Sequence, residues 1–437
     1  MFEKEEKKIA DWQEKYEHID IPMDKIDRAI HLGFEEGKSA GRIMKRKRKV
    51  WIWPSIAVAV LFLGLLTCIR VSPTFATYIS SIPGMEKIVE LIRDNKGLLA
   101  AVENNYAQEI GVSQEKNGMK LTINSVIADE QGIVIFYTIN TKEKQKRLQV
   151  ENVDLRTIDG KKLPEGYSSF GSPAENDIKS YTDSIEYFFK KPIKQQDFKL
   201  NMKVKTSERS ESFSMKFSIN RQEKTSQIYE LNKTVEMGGQ KIKVKKVTIY
   251  PLRVAVHLEL NPNNTKKILD FQDLRLVDQN GEVWSKIING VSGRDISDSE
   301  SIIYLQSNYF SKPKELYLVM NKIQAIDKDE SYVLVDTEKQ QILKQPKGNI
   351  LSILELSGSN LIFTLNTKKK FNYDIFGLIN DAKGNKFYSE RSFIEDLDEN
   401  KKKFGLGLPS KNYTNPLKIE LNYYPSWIEG NIKLRVK

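Results

Sequence analysis

The stretch "GMKLTINSVIADEQGIVIFYTINT", from Gly118 to Thr141, sets the pattern for most of this chain. A glycine is followed by an alternating polar and apolar run, a short polar turn and a second apolar run that ends in Asn-Thr. Alternation with a period of two predicts a pair of antiparallel strands joined by a turn. The stretch therefore predicts a β-hairpin.

The same pattern occurs twice more, at 239–262 and at 348–368. Each copy is followed by a unit with Asp and Gly between two strand-like runs, and then by a proline shortly before another alternating run. These later units cover 154–163, 273–284 and 375–388, and the proline-led runs cover 187–204, 308–323 and 408–425. Three elements that recur in the same order predict tandem antiparallel β-sandwich domains of the immunoglobulin-like kind. We place them at 113–222, 228–340 and 346–437.

A helical segment is predicted before the first of these domains, within residues 70–112. Apolar residues at positions i, i+3, i+4 and i+7 form one stripe there, which is the mark of an amphipathic helix. They are Met85, Ile88, Val89 and Ile92, continued after Gly97 by Leu98, Leu99 and Val102. We expect this face to pack on the first β-domain, and the alternative is a helix lying on a membrane surface.

Residues 50–69 form an uncharged run of twenty residues between Lys49 and Arg70. A helix of that length spans about 30 Å, the thickness of a bilayer's hydrocarbon layer. Trp51 and Trp53 lie at one edge of the run, where aromatic rings favour the headgroup region. The run predicts a single transmembrane helix, and the alternatives are a cleaved signal peptide and a core helix.

Basic residues are concentrated on the amino-terminal side of this predicted span. They are Arg42, Lys45, Arg46, Lys47, Arg48 and Lys49. Such an excess stays on the cytoplasmic side of a membrane. The sequence therefore predicts a protein of the cell membrane, with residues 1–49 cytoplasmic and the β-domains extracellular.

The cytoplasmic segment contains one predicted helix, with Ile26, Ile30 and Phe34 on one face. A helix this short gains most of its stability from packing against something else. The apolar face therefore predicts a partner-binding surface. The alternative is a helix that lies on the inner leaflet beside the basic residues.

Residues typical of catalysis are sparse, so we expect no enzyme, cofactor or metal. The chain has three histidines and one cysteine, Cys68, which falls inside the predicted span. His257 lies alone in an alternating run, where a structural histidine is the usual interpretation. Asp129, Glu130 and the acidic stretch 395–400 offer oxygen atoms to a hard cation, although loop carboxylates of this kind are ordinarily solvated.

The run from Arg70 to Ser113, followed by "NGMKLTINSVIADEQGIVIFYTI", resembles a family of bacterial single-pass membrane proteins found mainly in bacilli and clostridia. The resemblance covers about residues 20–340, including "IPMDKIDRAIHLGF" at 21–34. It implies an outer domain of unknown function followed by immunoglobulin-like modules, and many members are described as extracytoplasmic-function anti-sigma factors. The cytoplasmic segment has no cysteine, so a sigma factor would be held without the zinc site that other anti-sigma domains use.

Two main functions therefore remain in view, with a hydrolytic envelope enzyme that depends on His257 as a third alternative. The first is a membrane-anchored regulator whose outer domains sense an envelope component and whose inner helix binds a sigma factor. The second is a wall-facing structural or adhesive protein whose tail only anchors it. The expected partners are the lipid bilayer, a cytoplasmic sigma factor and a cell-wall polymer or envelope protein. The predicted outer region has a small, thinly spread excess of basic residues, which favours weak attraction to an anionic polymer, the alternative being an ordinary solvated surface. We expect no direct contact with nucleic acid.

Overall fold

The structure is a computed structural model, and the residues it describes are 85–173, 177–220, 225–287, 292–389, 391–409 and 413–437. The predicted cytoplasmic segment and the predicted span at 50–69 lie outside these ranges. Within them, no helix is long and apolar enough to cross a membrane. The described residues belong to one compact unit, Tyr78–Lys437.

Two helices precede the strands, α1 (Met85–Ile92) and α2 (Lys96–Glu103). The strands that follow pair antiparallel in six sheets, so the prediction of a mainly β chain is confirmed. Domain 1 contains the first eight strands, in sheets ordered β1-β2-β3-β6-β5 and β4-β7-β8. They are β1 (Gln108–Lys116), β2 (Met119–Ala128), β3 (Gly132–Gln145), β4 (Leu148–Thr157), β5 (Gly166–Phe170), β6 (Ile178–Phe189), β7 (Asp197–Thr206) and β8 (Ser210–Ser218).

Domain 2 contains eight consecutive strands and the last strand of the chain. Its sheets have the orders β14-β15-β11-β10-β9 and β13-β12-β16-β26. The strands are β9 (Gln227–Met237), β10 (Gln240–Ile249), β11 (Arg253–Leu260), β12 (Lys266–Asp278), β13 (Val283–Ser285), β14 (Gly293–Asp295), β15 (Glu300–Gln306), β16 (Leu316–Asp327) and β26 (Trp427–Arg435).

Domain 3 follows a short 3-10 turn at Lys328–Glu330 and contains the remaining strands. Its sheets have the orders β18-β17-β25-β21-β22 and β19-β20-β24-β23. The strands are β17 (Tyr332–Asp336), β18 (Gln341–Lys344), β19 (Leu351–Ser357), β20 (Asn360–Asn366), β21 (Phe376–Asn380), β22 (Lys386–Phe387), β23 (Ser392–Asp396), β24 (Lys401–Gly407) and β25 (Leu417–Leu421).

The three repeated stretches form the hairpins β2–β3, β10–β11 and β19–β20. In each hairpin the register shifts once within the first strand, between Ile123 and Ser125, between Val244 and Lys246, and between Ser352 and Leu354. A bulge inserts one residue and bends its strand. Because the bulge recurs at the same place, the sequence repeat is also a repeat of backbone geometry.

The final strand, β26, crosses back from domain 3 to domain 2. It pairs with β16 from Tyr317↔Arg435 to Gln324↔Trp427. In domain 1 the corresponding place beside β7 is taken by β8, the next strand along the chain. After β16, however, the next strand is β17, which pairs with β25 of domain 3 instead. Domains 2 and 3 have in effect exchanged strands.

This exchange divides the chain differently from the predicted boundaries. The predicted domain 228–340 includes β17, whose partners are in domain 3, and the predicted domain 346–437 includes β26, whose partner is in domain 2. The physical reason is that β26 and β17 pair with strands that are distant in sequence, β16 and β25, and not with the strand that precedes each of them along the chain. Domain 3 is therefore inserted between two parts of domain 2.

Each domain has a core formed by apolar side chains from its two sheets. The core of domain 1 includes Leu121, Ile135 and Phe198, and that of domain 3 includes Phe363 and Ile419. In domain 2, side chains from β26 join those of β10, β11, β12 and β16. These alternating inward residues are the ones that the period-two pattern predicts.

Candidate functional site

The residues predicted to bind a partner or to set the membrane orientation fall in the part of the chain that the structure does not describe. They are Ile26, Ile30, Phe34, Arg42, Lys45, Arg46, Lys47, Arg48, Lys49, Trp51 and Trp53. Their roles stay predictions. The candidate site of the described region is a different one, where the two helices meet domains 1 and 2.

Helix α1 packs against domain 1. Ile88 is fully buried, and Lys87 Nζ lies 3.4 Å from Ser180 Oγ of β6. Between the helices, Asn95 caps α2, since its Oδ1 accepts a hydrogen bond from the backbone N–H of Leu98 at 3.1 Å. The apolar stripe is therefore divided between two short helices, and Gly97 lies in the first turn of the second.

Helix α2 packs against domain 2, a contact that the sequence did not predict. A Cβ built on Gly97 would lie 2.5 Å from the backbone nitrogen of Ser307, just beyond β15. Gln306 Nε2 also donates a hydrogen bond to the carbonyl oxygen of Asp94 at 2.9 Å. The missing side chain at Gly97 allows the helix to approach the strand this closely.

Arg253, the first residue of β11, links domain 1 to domain 2 and is only 1% exposed. Its guanidinium carbon lies 3.6 Å from the ring centroid of Phe188 in β6 and 3.6 Å from that of Tyr304 in β15. Cation–π contacts of desolvated groups are worth about 2 kcal/mol each. Burial lowers the pKa of Arg253 to about 10, so the side chain stays charged at neutral pH.

Asp129, in the turn between β2 and β3, forms a second link between the two domains. Its Oδ1 accepts hydrogen bonds from the N–H groups of Gln131 at 2.8 Å and Gly132 at 2.9 Å. Its Oδ2 accepts one from the N–H of Leu252 in domain 2 at 3.0 Å. Burial raises the pKa of Asp129, while these hydrogen bonds and the charge of Arg253 oppose that rise.

Ser307 connects the helices to the region of Arg253 and Asp129. Its hydroxyl donates a hydrogen bond of 2.5 Å to the carbonyl oxygen of Tyr250, in the same turn as Leu252. Burial, with the negative charges of Glu130 and Asp129, raises the pKa of the Tyr250 phenol to about 12. We call this region the junction: α1 and α2, the turns 129–131 and 250–252, and Ser307. It is suited to hold three parts of the chain in one relative orientation.

The three aspartates considered as cation ligands have other partners. Both carboxylate oxygens of Asp129 accept backbone hydrogen bonds. In the stretch 395–400, Asp396 contacts Lys402 Nζ, and Asp398 Oδ1 accepts a hydrogen bond from the N–H of Asn400 at 2.8 Å. Nowhere in the described ranges do three His, Cys, Asp or Glu side chains come together as a metal site requires.

Arg253 is the functional residue that sequence reasoning missed. It begins the run "RVAVHLEL", where it precedes three apolar residues and resembles an ordinary solvent-facing end of a strand. Lys and Arg are almost never fully buried without a partner. The ring that covers it, Phe188, comes from a domain that is distant in sequence, so no local pattern marks the position.

Replacing Gly97 with valine is expected to detach α2 from domain 2. The new side chain would meet the backbone of Ser307, and overpacking of this kind costs about 1–3 kcal/mol. Hydrogen–deuterium exchange should rise in 96–103 more than in β3. Glu90→Val, which changes an exposed residue of α1, is the matched control. Equal exchange in the two variants would contradict the close contact.

Comparison with known proteins identifies two segments of the chain. Residues 45–141 match a domain of unknown function (DUF4179), and residues 226–357 match a family of unknown function (DUF5643). No curated protein matches the sequence. A solved structure described as the conserved domain protein from Bacillus anthracis is 15% identical, with a TM-score of 0.37 over 55% of this chain and 84% of that one. A similarity of this size carries no argument about function.

Proposed function

We propose that the protein is a membrane-anchored regulator of the anti-sigma-factor type, with its β-domains outside the cell and residues 1–49 holding a sigma factor inside. The observation that carries the proposal is the position of α1 and α2. These helices follow the predicted span closely in sequence; α1 contacts β6 of domain 1, and Gly97 of α2 contacts domain 2. A ligand that changes the relative orientation of domains 1 and 2 would therefore change the position of these helices.

The finer assignments belong to the same proposal. The three domains would be immunoglobulin-like sandwiches, which is supported by two sheets around each core and by the recurring bulged hairpin. The protein would cross the cell membrane once, at 50–69, and its outer ligand would be a cell-wall polymer or an envelope protein. The match of 45–141 to a domain of unknown function is consistent with the bacterial family that the sequence resembles.

The cytoplasmic contact would depend on Ile26, Ile30 and Phe34. Burying three such side chains contributes on the order of 5 kcal/mol before the cost of ordering the helix. That free energy supports weak to moderate affinity. The substitution of one of them should therefore have a large effect on binding.

Replacing Phe34 with aspartate in the full-length protein is expected to release the sigma factor. Losing one buried aromatic contact of about 1.5–3 kcal/mol lowers the affinity roughly 10- to 100-fold. The measurements are co-purification of a sigma factor with the protein and transcription from the promoters which that factor serves. Arg28→Gln, on the opposite face of the predicted helix, is the control. A protein that never co-purifies with a sigma factor would contradict the proposal.

The second candidate is a structural or adhesive protein that faces the wall, and the strand exchange between domains 2 and 3 favours it. Two exchanged strands resist separation of the domains under tension, as an adhesive protein requires. The two functions differ in whether they require the specific sequence of the predicted cytoplasmic segment. Replacing residues 1–40 with an unrelated basic sequence should leave an adhesive function intact and abolish a regulatory one.

A further inference from the structure

A row of paired residues crosses the sheet of domain 2 that contains β11, from Glu230 of β9, which pairs with Lys246, to Arg294 of β14. Lys246 pairs with His257, His257 with Ile302, and Ile302 with Arg294. Directly paired residues of antiparallel strands project from the same face of a sheet. These four residues lie on β10, β11, β15 and β14, next to the row that contains Tyr304, whose ring contacts Arg253.

The row places basic groups around an apolar floor. Ile302 is only 3% exposed, whereas His257 and Arg294 on either side of it are partly buried. Neighbouring strands are about 4.8 Å apart, so the backbones of His257 and Arg294 are separated by about 10 Å. Both side chains are long enough to meet above Ile302.

Arg294 has an unused donor at this place. Its Nε is buried and has no hydrogen-bond partner among the described residues. A buried donor left without a partner costs free energy, and such groups in native structures usually have an acceptor such as a ligand or water. An anion above Ile302 would accept this hydrogen bond.

The carboxylates near the row either form ion pairs with Lys245 or lie at the β9 end of the row. Glu300 lies 2.8 Å from Lys245 Nζ, and Glu259 lies 3.9 Å from the same atom. Glu230 pairs with Lys246 from β9 and is exposed to solvent. The centre of the row, between His257 and Arg294, therefore keeps a positive character.

We propose that Lys246, His257 and Arg294 bind one phosphate group. A guanidinium, an imidazole and an ammonium carried by three strands on one face of the sheet offer several donors, which suits a tetrahedral oxyanion, whose oxygens point several ways. A planar carboxylate would use fewer of these donors. The same chemistry is offered by free phosphate and by an anionic polymer with phosphodiester links. The proposal concerns binding only and does not depend on whether residues 1–49 hold a sigma factor.

The site should bind more tightly as the pH falls. Burial, with the charges of Lys246, Arg294 and Lys245, lowers the pKa of His257 to about 4, and Glu300 opposes this. His257 is therefore neutral at pH 7, and a bound anion would raise its pKa. Affinity is then expected to increase as the pH falls from neutrality towards about 4 and to level off below it.

The test measures binding of two probes, inorganic phosphate and a glycerol phosphate oligomer, to the purified full-length protein by calorimetry. The phosphodiester oligomer keeps its charge over the pH range used. Arg294→Gln should weaken binding at least roughly 10-fold, because it removes a charge-assisted contact. Lys241→Gln, on the same strand as Lys246 but outside the row, should leave binding unchanged.

His257→Gln should abolish the gain in affinity on acidification, which we expect to be roughly three-fold between about pH 7 and pH 5 in the unchanged protein. This variant keeps the neighbouring carboxylates Glu230, Glu259 and Glu300, so it isolates the contribution of His257. Binding of the oligomer alone identifies a polymer as the ligand, and binding of both probes identifies any phosphate group. Equal loss in Arg294→Gln and Lys241→Gln, or no binding of either probe, would overturn the proposal. Thermal unfolding of each variant checks that it is folded.

Discussion

Deletion of residues 427–437 is expected to unfold domain 2, although these residues follow domain 3 in sequence. The deletion removes β26, and with it the whole ladder of hydrogen bonds along one side of β16. It also removes apolar residues that close the core of domain 2, Ile428, Ile432, Leu434 and Val436. The core of domain 2 would then be open to water along one edge.

The expected loss of stability is large. Full burial of one aliphatic side chain contributes about 1.5–3 kcal/mol, and the four residues are partly or fully buried, so the sum is on the order of 5 kcal/mol. Small domains are stable by about 5–15 kcal/mol. A loss of this size leaves domain 2 marginal or unfolded.

Hydrogen–deuterium exchange distinguishes this outcome from simple fraying of the chain end. Peptides from β12 and β16 should exchange much faster in the truncated protein, and peptides from β3 and β7 of domain 1 should change little. Ile432→Ala should also speed up exchange in β16, whereas Asn431→Ala, which changes an exposed neighbour, should not. Faster exchange confined to domain 3 would mean that β26 belongs there.

The strand exchange also shows where prediction from sequence stops. The hairpins β2–β3, β10–β11 and β19–β20 were predictable, because both strands and the turn that joins them lie within one short stretch. The partner of β26 was not. Its alternation says that one face is apolar but carries no information on which neighbour completes the sheet.

The sequence predicted that the segment before domain 1 is helical, but it predicted only one of its two contacts. Its apolar stripe predicted packing on domain 1, and α1 does contact β6 there, with Ile88 fully buried. The break between the helices falls at Asn95, because an asparagine side chain can cap a new helix. The contact of Gly97 with Ser307 depends on two residues far apart in the chain, and a glycine inside a helix gives no sign of what approaches it.

The candidate site was the least predictable part of the molecule. Asp129 was noticed as a loop carboxylate, although its role depends on Leu252 in another domain. His257 looked like an isolated strand histidine, and the row that surrounds it requires β14, a strand of three residues. Strands this short leave almost no periodic signal. Burial and pairing between domains, rather than local pattern, determine both features.

Replacing Arg253 with alanine is expected to destabilise the protein by about 3–5 kcal/mol, because the truncation loses two desolvated cation–π contacts and leaves a cavity where a large buried side chain lay. The change removes two cation–π contacts at once, with Phe188 and with Tyr304. It also leaves the buried carboxyl of Asp129 without a nearby positive charge. Because the two rings come from different domains, the loss should appear as weaker coupling of domains 1 and 2.

The pH dependence of the loss tests the role of Asp129. Burial holds the pKa of this carboxyl above its ordinary value, and Arg253 opposes the rise. A carboxyl with a raised pKa in the folded protein binds its proton more tightly there than in the unfolded chain. The free energy of unfolding therefore falls as the pH rises through the window between the two pKa values. Without Arg253 that window widens, so the variant should lose more stability at about pH 7 than at about pH 4.

Chemical denaturation of the full-length protein at both pH values measures this difference, with Arg253→Met as the matched variant. Methionine keeps much of the volume between Phe188 and Tyr304 but not the charge. It should therefore recover a larger share of the loss at about pH 4, where more of Asp129 is protonated than at about pH 7. If each variant loses as much stability at about pH 4 as at about pH 7, the charge of Arg253 does not act on Asp129. If alanine costs less than about 1 kcal/mol, the two rings hold the domains together without the guanidinium between them.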